Sequence, residues 1–197
     1  MMWQELTQRL EGRLIVLEPM HDEHREALRM AAADPTIWRW MQLDGSKADN
    51  FDRWFEHGLR EAAAEREAPF VTTARNGGRV LGSTRFMFLR PEHRGVEIGN
   101  TWLARSAWSS GANVEAKLLM LELAFERAGA MRVEFKTDAR NVKSRRALEA
   151  LPATFEGIFR KHMLIHTGVR DSAYYAITDD DWPEVRANLE RRLQAHR

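Results

Sequence analysis

The stretch from Glu97 to Thr137 restricts the fold of this chain more than any other. Glu97-Ile-Gly-Asn-Thr-Trp-Leu103 reads as an extended run, Ser109-Ser-Gly-Ala-Asn113 as a loop of small residues, and Val114 onward as a helix. Val114, Leu118, Leu121, Phe125 and Ala128 recur at helical spacing, and Gly129 follows as a stop. Met131-Arg-Val-Glu-Phe-Lys-Thr137 then alternates apolar and polar residues with the period of a strand. Strand, helix and strand in that order form a βαβ unit, which implies parallel pairing and a right-handed crossover.

The start of that helix has its own chemistry. The first N–H groups of a helix lack partners inside it, and the macrodipole adds partial positive charge there. Small side chains at Ser109, Ser110, Gly111 and Ala112, followed by Asn113 and Val114, let those amides approach an anion closely. The loop lacks the lysine of a P-loop and the three glycines of a dinucleotide fingerprint, and an ordinary serine-capped helix start uses the same residues.

Four segments together carry a resemblance. They are Glu97-Ile-Gly-Asn-Thr-Trp-Leu103, Trp108-Ser-Ser-Gly-Ala-Asn113, Arg140-Asn141-Val-Lys-Ser144 and Phe155-Glu156-Gly157. In this order they resemble the GNAT superfamily of acetyl-CoA-dependent N-acetyltransferases, in particular its RimL/RimJ-type branch of ribosomal-protein N-terminal acetyltransferases. The resemblance spans about residues 11 to 180. Two positions depart from it: Trp108 stands where the family usually has Arg or Gln, and Asn113 at its second small residue.

The resemblance implies an α/β (α+β) fold, with a central mixed, mostly antiparallel sheet, splayed central strands and flanking helices. It implies acetyl-CoA as cofactor, its pyrophosphate on residues 109 to 114 and its pantetheine arm on the main chain of Trp102 and Leu103. Asn141 would bond the same arm, and Ser144 would protonate the leaving thiolate. Glu156 matches the glutamate proposed to draw a proton from the acceptor, with Glu97 as runner-up and His162 as a further option. Each has a plain alternative: Ser144 a helix-start serine, the glutamates solvent-facing strand positions.

Composition narrows the function. At 197 residues and 44% hydrophobic, the chain suits a single N-acetyltransferase domain over residues 1–197. Thirty basic against 29 acidic residues leave a formal charge of +1, which gives no general attraction to nucleic acid or acidic membranes. The absence of cysteine excludes disulfides, thiolate metal sites and acyl transfer through cysteine, and the chemistry calls for no metal. No apolar run approaches the roughly 20 residues that span a bilayer, so a cytoplasmic protein is expected. The expected partner is an amine acceptor, either a protein N-terminus or a small molecule, and a homodimer is left open. A non-catalytic acyl-CoA sensor and a nucleic-acid binder acting through Lys143-Ser-Arg-Arg146 are the competing readings.

The remaining elements follow in order. A strand is expected at Leu14 to Leu17, a helix at about Asp22 to Ala33, and a helix capped by Asp49 or Asn50 through Arg66. Ile37-Trp-Arg-Trp-Met41 is either core or acceptor pocket. Phe70 to Ala74 and Val80 to Leu89 form a hairpin around Asn76-Gly77. Asn141 or Asp138 caps a helix through Leu151, two antiparallel strands follow over 154–164 and 170–177, and Asp181 with Glu184 starts the last helix as a capping box.

Overall fold

The computed structural model describes residues 3–196. Its strands are β1 (Leu10–Glu11), β2 (Ile15–Pro19), β3 (Ala68–Ala74), β4 (Val80–Arg90), β5 (Gly95–Leu103), β6 (Arg132–Asp138), β7 (Thr154–Ile165) and β8 (Gly168–Thr178). Its α-helices are α1 (Arg25–Ala31), α2 (Ala48–Ala63), α3 (Ala112–Glu122), α4 (Val142–Glu149) and α5 (Trp182–Gln194), and a π-helical segment, Leu123–Arg127, continues α3.

The strands form one sheet in the order β1-β2-β3-β4-β5-β6-β8-β7. Every neighbouring pair is antiparallel except β5 with β6, the parallel pair that the βαβ reading requires. That pair is short. It holds only at Gly95↔Arg132, Val96↔Val133 and Glu97↔Glu134, after which the two strands part. A bulge lies just beyond: Asn100 takes φ 50°, and the register with β4 shifts so that Arg85 faces Gly99 while Ser83 faces Trp102. Asparagine tolerates this left-handed conformation, and the extra residue bends the strand away from its former partner.

Alternation along the strands divides the core in two. Phe70, Phe86, Val96, Ile98, Val133 and Phe135 face α3 and α5, whereas Val71 and Trp102 face α1 and α2. Three tryptophans fill the second layer: the Trp38 ring lies 5.8 Å from Trp54 and 5.1 Å from Trp102, and its indole N–H donates to Ala32 O at 2.8 Å. The Ile37–Met41 stretch therefore serves two purposes. Trp38 is core, while half-buried Trp40 lies between the guanidinium groups of Arg39 and Arg140.

Three local expectations change. Helix α2 begins at Ala48 with Lys47 at its N-cap, so Asp49 lies in the first turn, where its charge still favours the helix dipole. Asp181 accepts from the Thr178 amide and hydroxyl at 2.9 and 2.7 Å, so its carboxylate is turned away from α5 and no capping box forms. Helix α3 buries Ala112, Glu115, Ala116, Lys117, Met120 and Leu121, while Val114 and Leu118 of the expected stripe are only half-buried, because it is packed against the sheet on one side and α5 on another. Glu115 accepts hydrogen bonds from the amides of Arg13, Leu14 and Ile15 at 2.9, 2.7 and 2.8 Å.

Candidate active site

The parting of β5 and β6 opens a gap between two strands in the middle of the sheet, and the start of α3 lies at its helix side. The first intrahelical bond there runs from Glu115 N to Gly111 O at 3.0 Å, so the amides of residues 112 to 114 lie outside the helix ladder, that of Ala112 donating to Ser110 Oγ at 3.4 Å and those of Asn113 and Val114 standing at the open end. Ser109 and Gly111 take left-handed backbone, φ 61° and 84°, which turns the chain sharply into the helix start. The Ser110 hydroxyl ties the loop down by donating to Ala107 O at 2.7 Å. A Cβ added at Gly111 would meet Leu14 Cδ1 and His196 Cγ, both at 2.9 Å. Glycine is therefore needed for the backbone angle and for packing against these side chains, not to clear room in front of the amides.

One residue stands against this cradle. The Trp108 indole donates to Leu103 O at 2.9 Å, and the Lys143 ammonium of α4 lies 3.0 Å from the centre of its ring. The indole thus spans from the end of β5 toward α4 and uses a main-chain oxygen expected to be free. A carbonyl oxygen has two lone pairs, so Leu103 keeps one for another donor. Trp102 is different: its side chain is buried among Trp38 and Trp54, and only its main chain borders the gap.

Across the gap, Asn141 caps α4, its Oδ1 accepting from the Ser144 amide at 3.1 Å. This fulfils the capping alternative for Asn141 and leaves its Nδ2 donors uncommitted to the cap. Ser144 is half-buried on the first turn of α4.

The two candidate carboxylates occupy unlike surroundings. Glu97 is the last residue of β5 paired to β6, it is 4% exposed, and Lys136 Nζ donates to its Oε2 at 3.1 Å. Burial raises its pKa above the ordinary glutamate value, against the pull of the Lys136 ammonium. Glu156 is exposed on β7, and both its oxygens are held by the Arg132 guanidinium. That pairing lowers its pKa. Arg132 also bonds Glu134 at 2.8 Å, so Glu156 ends a surface chain of charges.

The face that carries Glu97 and Lys136 also holds His162, the further option for the base, together with Arg170, Ser172 and Tyr174, which sequence reasoning did not assign. His162 shares a hydrogen bond with Ser172 Oγ at 2.9 Å and approaches the Tyr174 hydroxyl at 3.3 Å. Burial first, then the charges of Lys136 and Arg170, lower the His162 pKa, so its ring favours the neutral form. Arg170 is 8% exposed, donates to Ser172 Oγ at 3.0 Å and reaches Trp40 O at 3.5 Å. The loop around Trp40 is also fastened by His166, whose ring lies 2.9 Å from Trp38 O. The signal for the three residues not assigned was the alternation in β8, Arg170, Ser172 and Tyr174 all sharing one face.

Comparison with known proteins agrees with this geometry. A model described as an acetyltransferase (GNAT) domain matches residues 13–154. A GCN5-related N-acetyltransferase from Brucella melitensis superposes with TM-score 0.86 at 26% identity, covering 94% of this chain and 85% of that one. Mycobacterium smegmatis RimJ, solved in complex with CoA-disulfide, shares the fold with TM-score 0.80 at 20% identity over 95% of each chain. An uncharacterized N-acetyltransferase, p20 of Bacillus licheniformis, is 25% identical over 152 residues, 75% of this chain and 83% of the relative.

Proposed function

The chain belongs to the GNAT acetyltransferase family and is an acetyl-CoA-dependent N-acetyltransferase, and from that membership we propose that it acetylates a primary amine directly, in one ternary complex. The acceptor is a protein N-terminus, an amino acid or a small amine, bound over the face that carries Glu97, and the reaction runs in the cytoplasm on a single domain. The observation that carries this reading is the parting of β5 and β6 directly after Glu97, with a free helix start beside the gap.

The residues fit acetyl-CoA at three points. The amides of residues 112 to 114 suit its pyrophosphate, the unpaired edges of β5 and β6 beyond Glu97 suit its pantetheine amides, and Asn141 Nδ2 can add a donor from α4. Bound there, the cofactor supplies an activated acetyl thioester. Ser144 offers a hydroxyl to the sulfur side of the gap. On the opposite face Glu97 takes the proton of the acceptor amine, a task favoured by its raised pKa and its place at the parting. Glu156 is the weaker base, because Arg132 stabilises its charged form.

Screening amine acceptors with released CoA thiol as the readout tests the reading. Initial-rate lines should intersect, as direct transfer requires. Parallel lines, together with an acetylated protein after incubation without acceptor, would refute it. A second expectation concerns Trp108. Replacing it with Arg should tighten CoA binding by about tenfold at low salt and less at high salt, since the change adds a cation beside the phosphate cradle and releases Leu103 O. Titration calorimetry at two ionic strengths checks it, and unchanged affinity at both would show that the indole is a neutral part of the groove.

A further inference from the structure

Lys117 is a buried amine that nothing in the proposed chemistry yet uses. It lies on α3 four residues beyond Asn113, about 6 Å further along the helix axis than the phosphate cradle. Its Nζ donates to Thr101 Oγ1 at 3.2 Å and lies 5.5 Å from the centre of the Phe135 ring. Thr101 belongs to β5 beyond the point of parting, and Phe135 is the first residue of β6 after its last pair with β5. The amine thus reaches across the helix side of the gap and touches both parted strands. Thr101 Oγ1 also shares a hydrogen bond with Thr84 Oγ1 at 2.7 Å, which fixes the one hydroxyl that holds it.

Among the described residues no carboxylate partners this amine. The charged residues of the surrounding elements all turn elsewhere: Glu115 of α3 to the amides at the start of β2, Arg85 of β4 to Glu67, and Glu97 of β5 to Lys136 of β6. Glu97 and Lys136 are on the other face of the sheet, since Lys136 and Phe135 are neighbours on one strand. An ammonium has three N–H donors, and Thr101 takes one. An unpaired cation is expensive to bury, so its retention beneath the parted strands calls for a functional explanation.

We propose that Lys117 is a catalytic acid of this enzyme, whose ammonium gives a proton to the sulfur of the leaving thiol. This rests on the acetyl-CoA reading of the gap. The carbon–sulfur bond breaks with its electron pair passing to sulfur, while the acceptor's lone pair forms the carbon–nitrogen bond. Glu97 takes the proton from the acceptor nitrogen, sulfur takes one from Lys117 Nζ, and both side chains exchange protons with solvent when products leave. Burial alone lowers the Lys117 pKa to about 7. An ordinary thiol titrates near 8.5, so transfer from this ammonium to a thiolate runs downhill, whereas a serine hydroxyl is a far weaker acid than a thiol. Ser144 then orients the sulfur, and Lys117 supplies its proton.

The test compares the parent with Lys117→Met and Lys117→Arg. Methionine is close in length and removes an unpaired buried cation, so the first variant should fold at least as stably, which a thermal melt verifies. The readout is the ultraviolet absorbance of the bound CoA thiolate, titrated in the absence of acceptor. The bound thiol should lose its proton at least one pH unit lower in Lys117→Arg, whose charge persists, than in Lys117→Met or in the parent, whose amine is already neutral where a thiol titrates. At saturating substrates kcat should fall by about 10²-fold in both variants, because arginine keeps the charge and withholds the proton. The parent's decline in kcat at alkaline pH should vanish with them. Equal thiol midpoints in Lys117→Arg and Lys117→Met, which would place position 117 out of reach of the sulfur, or a loss of kcat under threefold in Lys117→Arg, overturn the assignment. Failure of the parent to bind CoA would strike the donor reading instead, so the two failures are distinguishable.

Discussion

Glu97→Gln is expected to lower kcat/KM by about 10²-fold or more near neutral pH, the magnitude of a lost general base. The loss should be largest above the Glu97 pKa and well below the amine's, where the carboxylate is ionised and the acceptor still mostly ammonium, and should shrink as pH approaches the amine's own pKa. Glutamine keeps the shape and hydrogen-bonding capacity of the side chain, so the Lys136 contact is weakened without opening a cavity. The sign of the pH effect follows from burial: Glu97 acts when ionised, its pKa is raised above the ordinary glutamate value, and the acidic limb of the parent lies correspondingly high. Lys136→Met should move that limb to still higher pH, because the ammonium is the strongest influence holding the carboxyl down. A purely structural role for Glu97 would leave the limb in place. Glu156→Gln should change kcat/KM less than threefold, since its carboxylate is already spent on Arg132. A pH–rate profile of all three variants with one acceptor decides the matter, and loss of the acidic limb in Glu156→Gln alone would return the base role to that residue.

How far the sequence revealed this site depends on whether each feature is local. The order of β5, α3 and β6 could be read from hydrophobic period alone, and the parallel pairing then followed from topology. Asn141 as a helix cap was likewise a short-range matter. The ranking of Glu97 and Glu156 was not, because it turns on Arg132, which reaches Glu156 across β8. A residue in β6 and one in β7 become neighbours only through the strand register, which no local spacing encodes. Asn100 was equally hidden. Its strand-like surroundings gave no warning of the left-handed backbone that redirects β5 and sends Trp102 to one face and Thr101 to the other. Local spacing does not single out Lys117, which is buried only because sheet and α5 enclose α3.

The same enclosure gives Glu115 the largest expected effect on stability. Its Oε1 accepts from Arg13 N, and its Oε2 from Leu14 N and Ile15 N, so one carboxylate satisfies three consecutive amides where the chain enters β2. Gly12 is shaped to this contact, since a Cβ there would lie 2.4 Å from Glu115 Cδ. Leaving a buried donor without a partner costs about 1–3 kcal/mol, and bonds to a charged acceptor lie at the upper end. Glu115→Ala should therefore destabilise the fold by several kcal/mol, a large share of the roughly 5–15 kcal/mol typical of a domain. Glutamine is no rescue, because its NH₂ would face amide donors where a carboxylate oxygen now accepts. Glu115→Gln should accordingly lose more than half of what alanine loses, as measured by the urea midpoint with an unchanged m-value. The site is tied to this bond through one turn of helix: Glu115 N closes the first turn of α3 on Gly111 O, and Gly111 packs against Leu14. Variants that remain folded should therefore also bind CoA more weakly, since the amides at the start of α3 lose their fixed direction. Stability within about 0.5 kcal/mol of the parent in Glu115→Ala would mean that water replaces the carboxylate at those three amides, and the cradle would then owe its rigidity to the Ser110 and Gly111 turn alone.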